Sequence, residues 1–397
     1  MSEQGASIDR SGLPELVPCD VASRVARVRS AMAELGVDWL VVTKPVNIRW
    51  MSGFTGSNGT FMVGPDECRL ITDGRYDEQA HRQLAANGVD AAVEITVTQV
   101  PTLVASTIGR GDRVGLEADH LVWSTLSDYQ AELSDAELVP TRGLVEGLRR
   151  HKDPGERSRL ERASAIADRA LLATLALFAE RPTERAFAMA LDHAMRQHGA
   201  DDVSFETIVA SGPNAALPHH RPGERTIEAD DLVVIDFGAK VDGYGSDMTR
   251  TFVAGGEPTA EQQRLYDAVA AAQAAGVAAV RAGADQRSID TTCRDVLAQF
   301  DLADAFVHGT GHGLGLEIHE QPILSARSVG ILTAGLIVTV EPGAYLPGFG
   351  GVRVEDTVVV TDTGCVPITH CPKGLDPVAV ARANRSEDSS HGQHHHE

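Results

Sequence analysis

Basic side chains are scarce: 35 Lys and Arg stand against 56 Asp and Glu, a formal net charge of −21 over 397 residues. Such an acidic chain repels phosphate backbones and anionic headgroups, and no dense Lys/Arg run is present to release counterions, which argues against nucleic acid and membrane partners. Cysteine is also sparse. Cys19, Cys68, Cys293, Cys365 and Cys371 are odd in number, far apart and without a C-x-x-C pair, so reduced thiols and a cytoplasmic address are expected. No long apolar run occurs: the low-charge stretch Ala268 to Val280 is mostly alanine and too short to span a bilayer. The opening MSEQGASIDRSGLPEL lacks the pattern of a signal peptide. Aromatics are only 5%, yet with 43% hydrophobic and 23% charged residues the composition is globular. That length favours two domains.

Residues from about Val21 to Val139 alternate short apolar runs with helical spacing. Trp39–Thr43, Thr60–Val63, Cys68–Thr72 and Arg113–Glu117 read as strands, Tyr76–Asn87 and Ser124–Leu133 as helices, together an α/β domain. We place it at 1–145. A break near Arg142 to Pro154 follows, with Asp153 able to cap a helix that begins at Pro154 and continues to about Glu180 before Pro182. Further helices are expected from the cap Thr183 to Gly199, from the capping box Thr259-x-x-Gln262 to near Gly283, and from Ser288 to Phe300. Between them lie β-branched, glycine-punctuated segments, Leu232–Val253, Ile337–Ala344 and Val352–Val360. Long helices and hairpins in separate runs give an α+β second domain, placed at 146–380. The tail 381–397, ending in His394, His395 and His396, reads as disordered or foreign to the fold.

Chemistry concentrates in two hairpins and one histidine-rich segment. In VVIDFGAKVDGYGSDMTRTF, Asp236 and Asp247 are equidistant from the turn Val241-Asp242-Gly243, so both carboxylates are expected to project side by side. Glu341 and Glu355 are likewise equidistant from Gly348. Like charges opposed on buried strands repel by up to ~1 kcal/mol, and a cation between them removes the conflict. The run His308-Gly-Thr-Gly-His312-Gly-Leu-Gly-Leu-Glu-Ile-His319 adds imidazoles at fixed intervals on a backbone that can approach a ligand closely. One histidine and four carboxylates suffice for two divalent ions. Oxygen-rich coordination puts Mn²⁺ first, with Co²⁺ or Zn²⁺ as alternatives. Two ions about 3.5–4 Å apart can generate a hydroxide near neutral pH.

In order and spacing these residues resemble the metallopeptidases of the pita-bread fold, peptidase family M24: aminopeptidase P, prolidase, methionine aminopeptidase and the metal-free creatinase. The resemblance covers nearly the whole chain. It implies a pita-bread catalytic domain behind a creatinase/prolidase-like N-terminal domain, with Asp236, Asp247, His312, Glu341 and Glu355 as metal ligands. It further implies that His219 (in SGPNAALPHH), His308 and His319 orient substrate and stabilise the intermediate. Glu341 would exchange protons with a metal-bridging hydroxide, and Tyr345 and Arg353 would support the site. Plainer readings stay open: His219 as a loop histidine, Tyr345 as packing bonded to a backbone carbonyl, Arg353 as a neutralising partner on the face of Glu355, Arg221 as a turn residue rather than a carboxylate clamp. NIRWMSGFTGSNGTFMV followed by TDGRYDEQA resembles the first domain of Xaa-Pro peptidases, which points to aminopeptidase P acting on peptides with proline second, or else to prolidase acting on Xaa-Pro dipeptides. Homodimers or larger homo-oligomers are implied as well. A catalytically inactive binding protein on the same fold is the rival reading, and all five ligand positions being filled argues against it.

Overall fold

The computed structural model describes residues 12–96 and 98–383, which form two compact units. One is Pro18–Asp153; the other joins the described residues up to Val17 with those from Pro154 onward. The boundary thus falls at Asp153, later than the expected 145, because the helix Leu144–Arg149 belongs to the first unit. The segment before Pro18 joins the second unit through Arg162, which donates to Pro14 O, and through Ser158 Oγ, which accepts from Val17 N. At the other end a helix over 377–383 runs past the expected limit of 380, and the three terminal histidines lie outside the described residues.

The first unit is α/β. Its six strands are β1 (Trp39–Val42), β2 (Thr60–Val63), β3 (Cys68–Thr72), β4 (Ala92–Ile95), β5 (Arg113–Glu117) and β6 (Glu137–Thr141). They form one sheet in the order β4-β3-β2-β1-β5-β6. The pairs β1/β5, β5/β6 and β3/β4 are parallel, whereas β2 runs antiparallel to both neighbours. Helices α1 (Arg24–Leu35), α2 (Pro45–Ser52), α3 (Asp77–Ala86), α4 (Val100–Ala105), α5 (Trp123–Glu132) and α6 (Leu144–Arg149) connect and cover it. Part of the core is Trp39, Val41, Met62, Ile71, Val114, Leu116 and Tyr129. The two strands absent from the sequence reading, β4 and β6, are the sheet edges, whose half-exposed residues carry no clean apolar alternation.

The second unit opens with α7 (Pro154–Thr174), whose expected continuation to Glu180 tightens into a 3₁₀ turn over Leu175–Glu180. Then α8 (Glu184–Gln197) starts where Thr183 Oγ1 accepts from Ala186 N. Strands β7 (Asp202–Val203), β8 (Ile208–Ser211), β9 (Leu232–Phe237), β10 (Ala239–Val241), β11 (Tyr244–Gly245) and β12 (Met248–Val253) follow. The expected capping box opens α9 (Ala260–Ala279), and Asp285 caps α10 (Gln286–Ala298). The chain closes with β13 (Gly311–Gly313), β14 (Glu320–Leu324), β15 (Ile337–Val340), β16 (Gly343–Leu346), β17 (Gly350–Arg353), β18 (Asp356–Val360) and β19 (Cys365–Pro367). Sheets β12-β9-β8 and β14-β13-β15-β18-β19 lie at its centre. Phe178, Phe187 and Leu191 pack with Phe237 and Phe252 of β9 and β12, whereas Leu265, Val269 and Leu297 of α9 and α10 pack with Val352 and Val354. Helices on both sides explain why β12, β15 and β18 are wholly buried and β9 nearly so.

Register decides where the acids go. β10 pairs Lys240 with Gly245 and Val241 with Tyr244, so the turn is Asp242-Gly243, both at positive φ (46° and 80°), a two-residue hairpin turn. That centre is one residue further along than the symmetry of Asp236 and Asp247 requires. Asp236 therefore opposes Thr249, and Asp247 sits two residues before that partner. An offset of two preserves the face, so the acids become diagonal neighbours rather than a direct pair. In the other hairpin, Val340 opposes Asp356 and Gly343 opposes Arg353, the register that sets Glu341 against Glu355.

Candidate active site

Each candidate ligand sits in or beside a strand of the buried sheets. Asp236 lies in β9 and His312 in β13; Asp247 and Glu355 immediately precede β12 and β18, and Glu341 follows β15. His312 is set deep because β13 presses onto β15: a Cβ on Gly311 would meet Thr339 O at 2.0 Å, so only glycine fits there. Carboxylate oxygens of Asp236, Asp247 and Glu355 fall within 4.8 Å of one another. His312 Nε2 joins them, 3.5 Å from Asp247 Oδ2 and 3.3 Å from Glu341 Oε1.

This cluster is electrostatically unbalanced. Burial, then the charges of Glu355, Asp236 and Glu341, push the Asp247 carboxyl well above its ordinary range. Burial, then Glu341 and Asp236, do the same to Glu355. Burial also raises Asp236, against the pull of Arg353. Asp236 Oδ1 and Glu355 Oε1 are buried with no hydrogen-bond partner. Buried acceptors are rarely left unpaired, and a divalent cation would satisfy both oxygens and cancel the repulsion. His312 fits a ligand role as well, since its Nδ1 lies 3.0 Å from Gly313 O. That contact takes the ring proton and leaves the Nε2 lone pair facing the acids. The residues present therefore suit divalent metal.

A second set of side chains orients the first. Arg353 Nη2 donates to Asp236 Oδ2 at 2.6 Å, Nη1 to Tyr345 Oη at 2.8 Å and Nε to Thr249 Oγ1 at 3.0 Å. Tyr345 Oη lies 2.8 Å from His308 Nε2, while His308 Nδ1 lies 2.8 Å from Gly309 O. With its proton on Nδ1, His308 accepts from the tyrosine. Burial then depresses the His308 pKa, and raises that of Tyr345 to about 12, keeping both neutral. Thr249 Oγ1 donates to Glu355 Oε2 at 2.7 Å, and Thr339 Oγ1 donates to Glu341 Oε1 at 3.2 Å while accepting from His312 N at 3.0 Å. Behind them the buried Arg250 donates to Glu355 O and to Asp356 Oδ1.

Over the acids opens a cavity of about 380 Å³ lined by His219, His308, His312 and His319, by Asp236, Asp247, Glu341 and Arg353, and by the apolar Phe205, Ile208, Ile318 and Ile323. The His319 ring stands edge-on to His312, centroids 4.5 Å apart.

Three expectations change in detail. Arg353 bonds Asp236 across the sheets, not Glu355 two residues on. Tyr345 bonds His308 and Arg353 instead of a backbone carbonyl. His308 is already engaged by Tyr345, so its Nε2 is not a free donor to substrate. Arg221 is 83% exposed and 3.4 Å from Glu206, in keeping with a turn residue. Thr249 and Thr339 were missed, although a signal existed: each stands two residues from an acid, Asp247 or Glu341, hence on the same strand face. Arg250 carried no signal, since a buried charge looks like a surface one in sequence.

Fold and site together define a metal-dependent hydrolase. Residues 158–362 match the model of metallopeptidase family M24, and residues 24–151 match the creatinase/prolidase N-terminal domain. A peptidase of Bacillus subtilis (strain 168), YqhT, is 42% identical over 353 residues, 89% of this chain and 99% of that protein. The structure of an Xaa-Pro dipeptidase from Bacillus anthracis superposes with a TM-score of 0.85 at 40% identity, covering 90% of this chain and 99% of that one. An X-Pro aminopeptidase from Thermotoga maritima MSB8 gives 0.80 at 31%, covering 87% and 99%. The chain belongs to metallopeptidase family M24 and has its pita-bread fold, with a creatinase/prolidase-type N-terminal domain.

Proposed function

We propose that this protein is an Xaa-Pro aminopeptidase, removing an N-terminal residue that precedes proline from peptides longer than two residues. The observation that carries the hydrolase reading is the buried acid cluster with two unpaired oxygens at the floor of a cavity rimmed by histidines. Asp236, Asp247, His312, Glu341 and Glu355 would hold two divalent ions, Mn²⁺ first, with Co²⁺ or Zn²⁺ as alternatives. Such a pair lowers the pKa of a water and polarises a carbonyl.

The chain's own groups do the rest. Glu341 Oε1 is fixed by Thr339 and His312, leaving Oε2 to take a proton and deliver it to the leaving nitrogen. Delivery matters because the leaving nitrogen is proline's own, a tertiary amide nitrogen with no proton. Arg353 orients Asp236 and works against the burial that disfavours its charge. His219 and His319 line the cavity and would donate to the substrate carbonyl or backbone as charge develops, while His308 would act through Tyr345.

Two features support longer peptides over dipeptides. Phe205, Ile208, Ile318 and Ile323 form an apolar wall against which a terminal carboxylate would be desolvated. The guanidinium lining the cavity, that of Arg353, is already shared among Asp236, Tyr345 and Thr249. The name of the B. anthracis relative favours the second reading, a dipeptidase. Protein stripped by chelation and reloaded with Mn²⁺, assayed on Xaa-Pro dipeptides beside Xaa-Pro-Yaa tri- and pentapeptides, separates the two. Metal-dependent release from the longer peptides is expected. Cleavage confined to dipeptides would make it a prolidase, and silence on both with metal bound would overturn the Xaa-Pro reading.

A further inference from the structure

We propose that Glu184, which touches neither the acid cluster nor the cavity, is a positioning residue that sets His219 over the substrate. What His219 faces rests on the Xaa-Pro hydrolase reading; the clamp itself rests on geometry.

Glu184 is the first residue of α8 and is fully buried. An acid there ordinarily faces solvent and answers the helix dipole. This one spends both oxygens on a single loop. Oε1 accepts from Ser211 N at 2.8 Å, Ser211 Oγ at 2.8 Å and Asn214 Nδ2 at 2.9 Å. Oε2 lies 2.8 Å from His220 Nε2 and accepts from Gly223 N at 3.2 Å. The two oxygens thus grip opposite ends of residues 211–223. That segment leaves β8, turns through a short 3₁₀ stretch, Gly212–Ala216, and carries Pro218 and His219 into the cavity wall.

The inner side of the loop is held separately. Pro218 O accepts from Arg353 Nη1 at 3.3 Å, and a Cβ on Gly351 would lie 2.2 Å from Ala215 O, so the loop rests directly on the β17 backbone. Arg225 reinforces the outer grip by donating to Ser211 Oγ at 2.6 Å while pairing with Asp231. His219 is therefore caught between a buried carboxylate on one side and the arginine that orients Asp236 on the other. Glutamine at 184 would keep the volume but turn an amide NH₂ toward Gly223 N–H and His220, or toward Ser211 and Asn214, leaving one grip without an acceptor.

The test compares wild type, Glu184→Gln, His219→Ala and the double variant as Mn²⁺-loaded full chains, using Ala-Pro-Ala as substrate and amide hydrogen exchange as a second readout. If Glu184 acts through His219, E184Q raises KM about tenfold with kcat within about threefold. It also speeds exchange of residues 211–223 about tenfold and leaves Mn²⁺ affinity unchanged. In the His219→Ala background it adds nothing further to KM. Unchanged exchange in E184Q, or a KM effect that persists in full without His219, would overturn the proposal. Should E184Q fail to fold, Asn214→Ala removes one of the five contacts and must give the same pattern at smaller size. If wild type does not cleave the tripeptide, the aminopeptidase reading falls while the exchange data still decide the clamp.

Discussion

Asp247 is the residue in which the cost of this site is most concentrated. It is 5% exposed, and three carboxylates besides burial work against its ionisation. Without metal that is a liability; with metal the same charges become the binding energy. Asp247→Asn should therefore act in opposite directions on the two states. Relief of one like-charge contact is worth about 1 kcal/mol, so the metal-free variant should melt about 2–4 °C above metal-free wild type, while the upward shift that Mn²⁺ gives wild type disappears. Differential scanning calorimetry with and without Mn²⁺ reads both, and a variant that melts lower in the metal-free state would show that Asp247 is held by contacts other than repulsion. The threonines are the quieter half of the arrangement. Thr249 takes one oxygen of Glu355 and so decides that the other is left unpaired and available.

At the scale of elements, the first unit shows how a ligand crevice can be filled from within. In a sheet of this kind the open position lies beyond the carboxyl ends of neighbouring strands whose connections diverge, here β1, which leads to β2, and β5, which leads toward β6. Glu117, at the end of β5, occupies it. Its Oε2 accepts from Thr43 N at 2.6 Å and Lys44 N at 2.8 Å at the start of α2, and its Oε1 from Asn47 Nδ2 at 2.7 Å. The carboxylate stands where an external anion would bind a helix N-terminus. Glu117→Ala should lower stability by about 2–4 kcal/mol, and molar acetate or formate should restore part of it where chloride does not. Urea denaturation in the three salts gives the answer; equal curves would mean that the carboxylate holds no anion position. The strands of the second unit carry the complementary lesson. The Glu341/Glu355 hairpin was legible because its centre coincides with a glycine, Gly348, at positive φ (83°). The Asp236/Asp247 hairpin was misread by one position because Asp242-Gly243 alone makes the turn, and only the period of two kept both acids on one face.

For the whole molecule, metal and folding are expected to be coupled. The five candidate ligands come from β9, the approach to β12, β13, the end of β15 and the approach to β18, so an ion holding them together ties two sheets. A ligand present at about 100 times its Kd stabilises the native state by about 2.7 kcal/mol. Chelation should accordingly speed amide exchange in 232–253 and 308–360 and leave 39–141 unchanged, as read by exchange mass spectrometry on the intact chain. Uniform loosening across both units would contradict a site confined to the second. No helix among the described residues is long and apolar enough to cross a membrane.

The sequence by itself determined the division into an α/β unit and a helix-and-hairpin unit, the caps Thr183 and Thr259, and the set of acids and histidines. Those are properties of period, composition and short-range hydrogen bonding, which a linear chain already contains. Only the tertiary structure decided which acid meets which arginine, that Tyr345 occupies His308, that Thr249 and Thr339 each hold one oxygen of Glu355 and Glu341, and that Glu184 reaches across to residues 211–223. The separation in sequence is the physical reason. Arg353 and Asp236 are 117 residues apart, and Thr249 and Glu355 106; no local pattern encodes such a pairing, which exists only once sheet register and helix packing have brought the strands together.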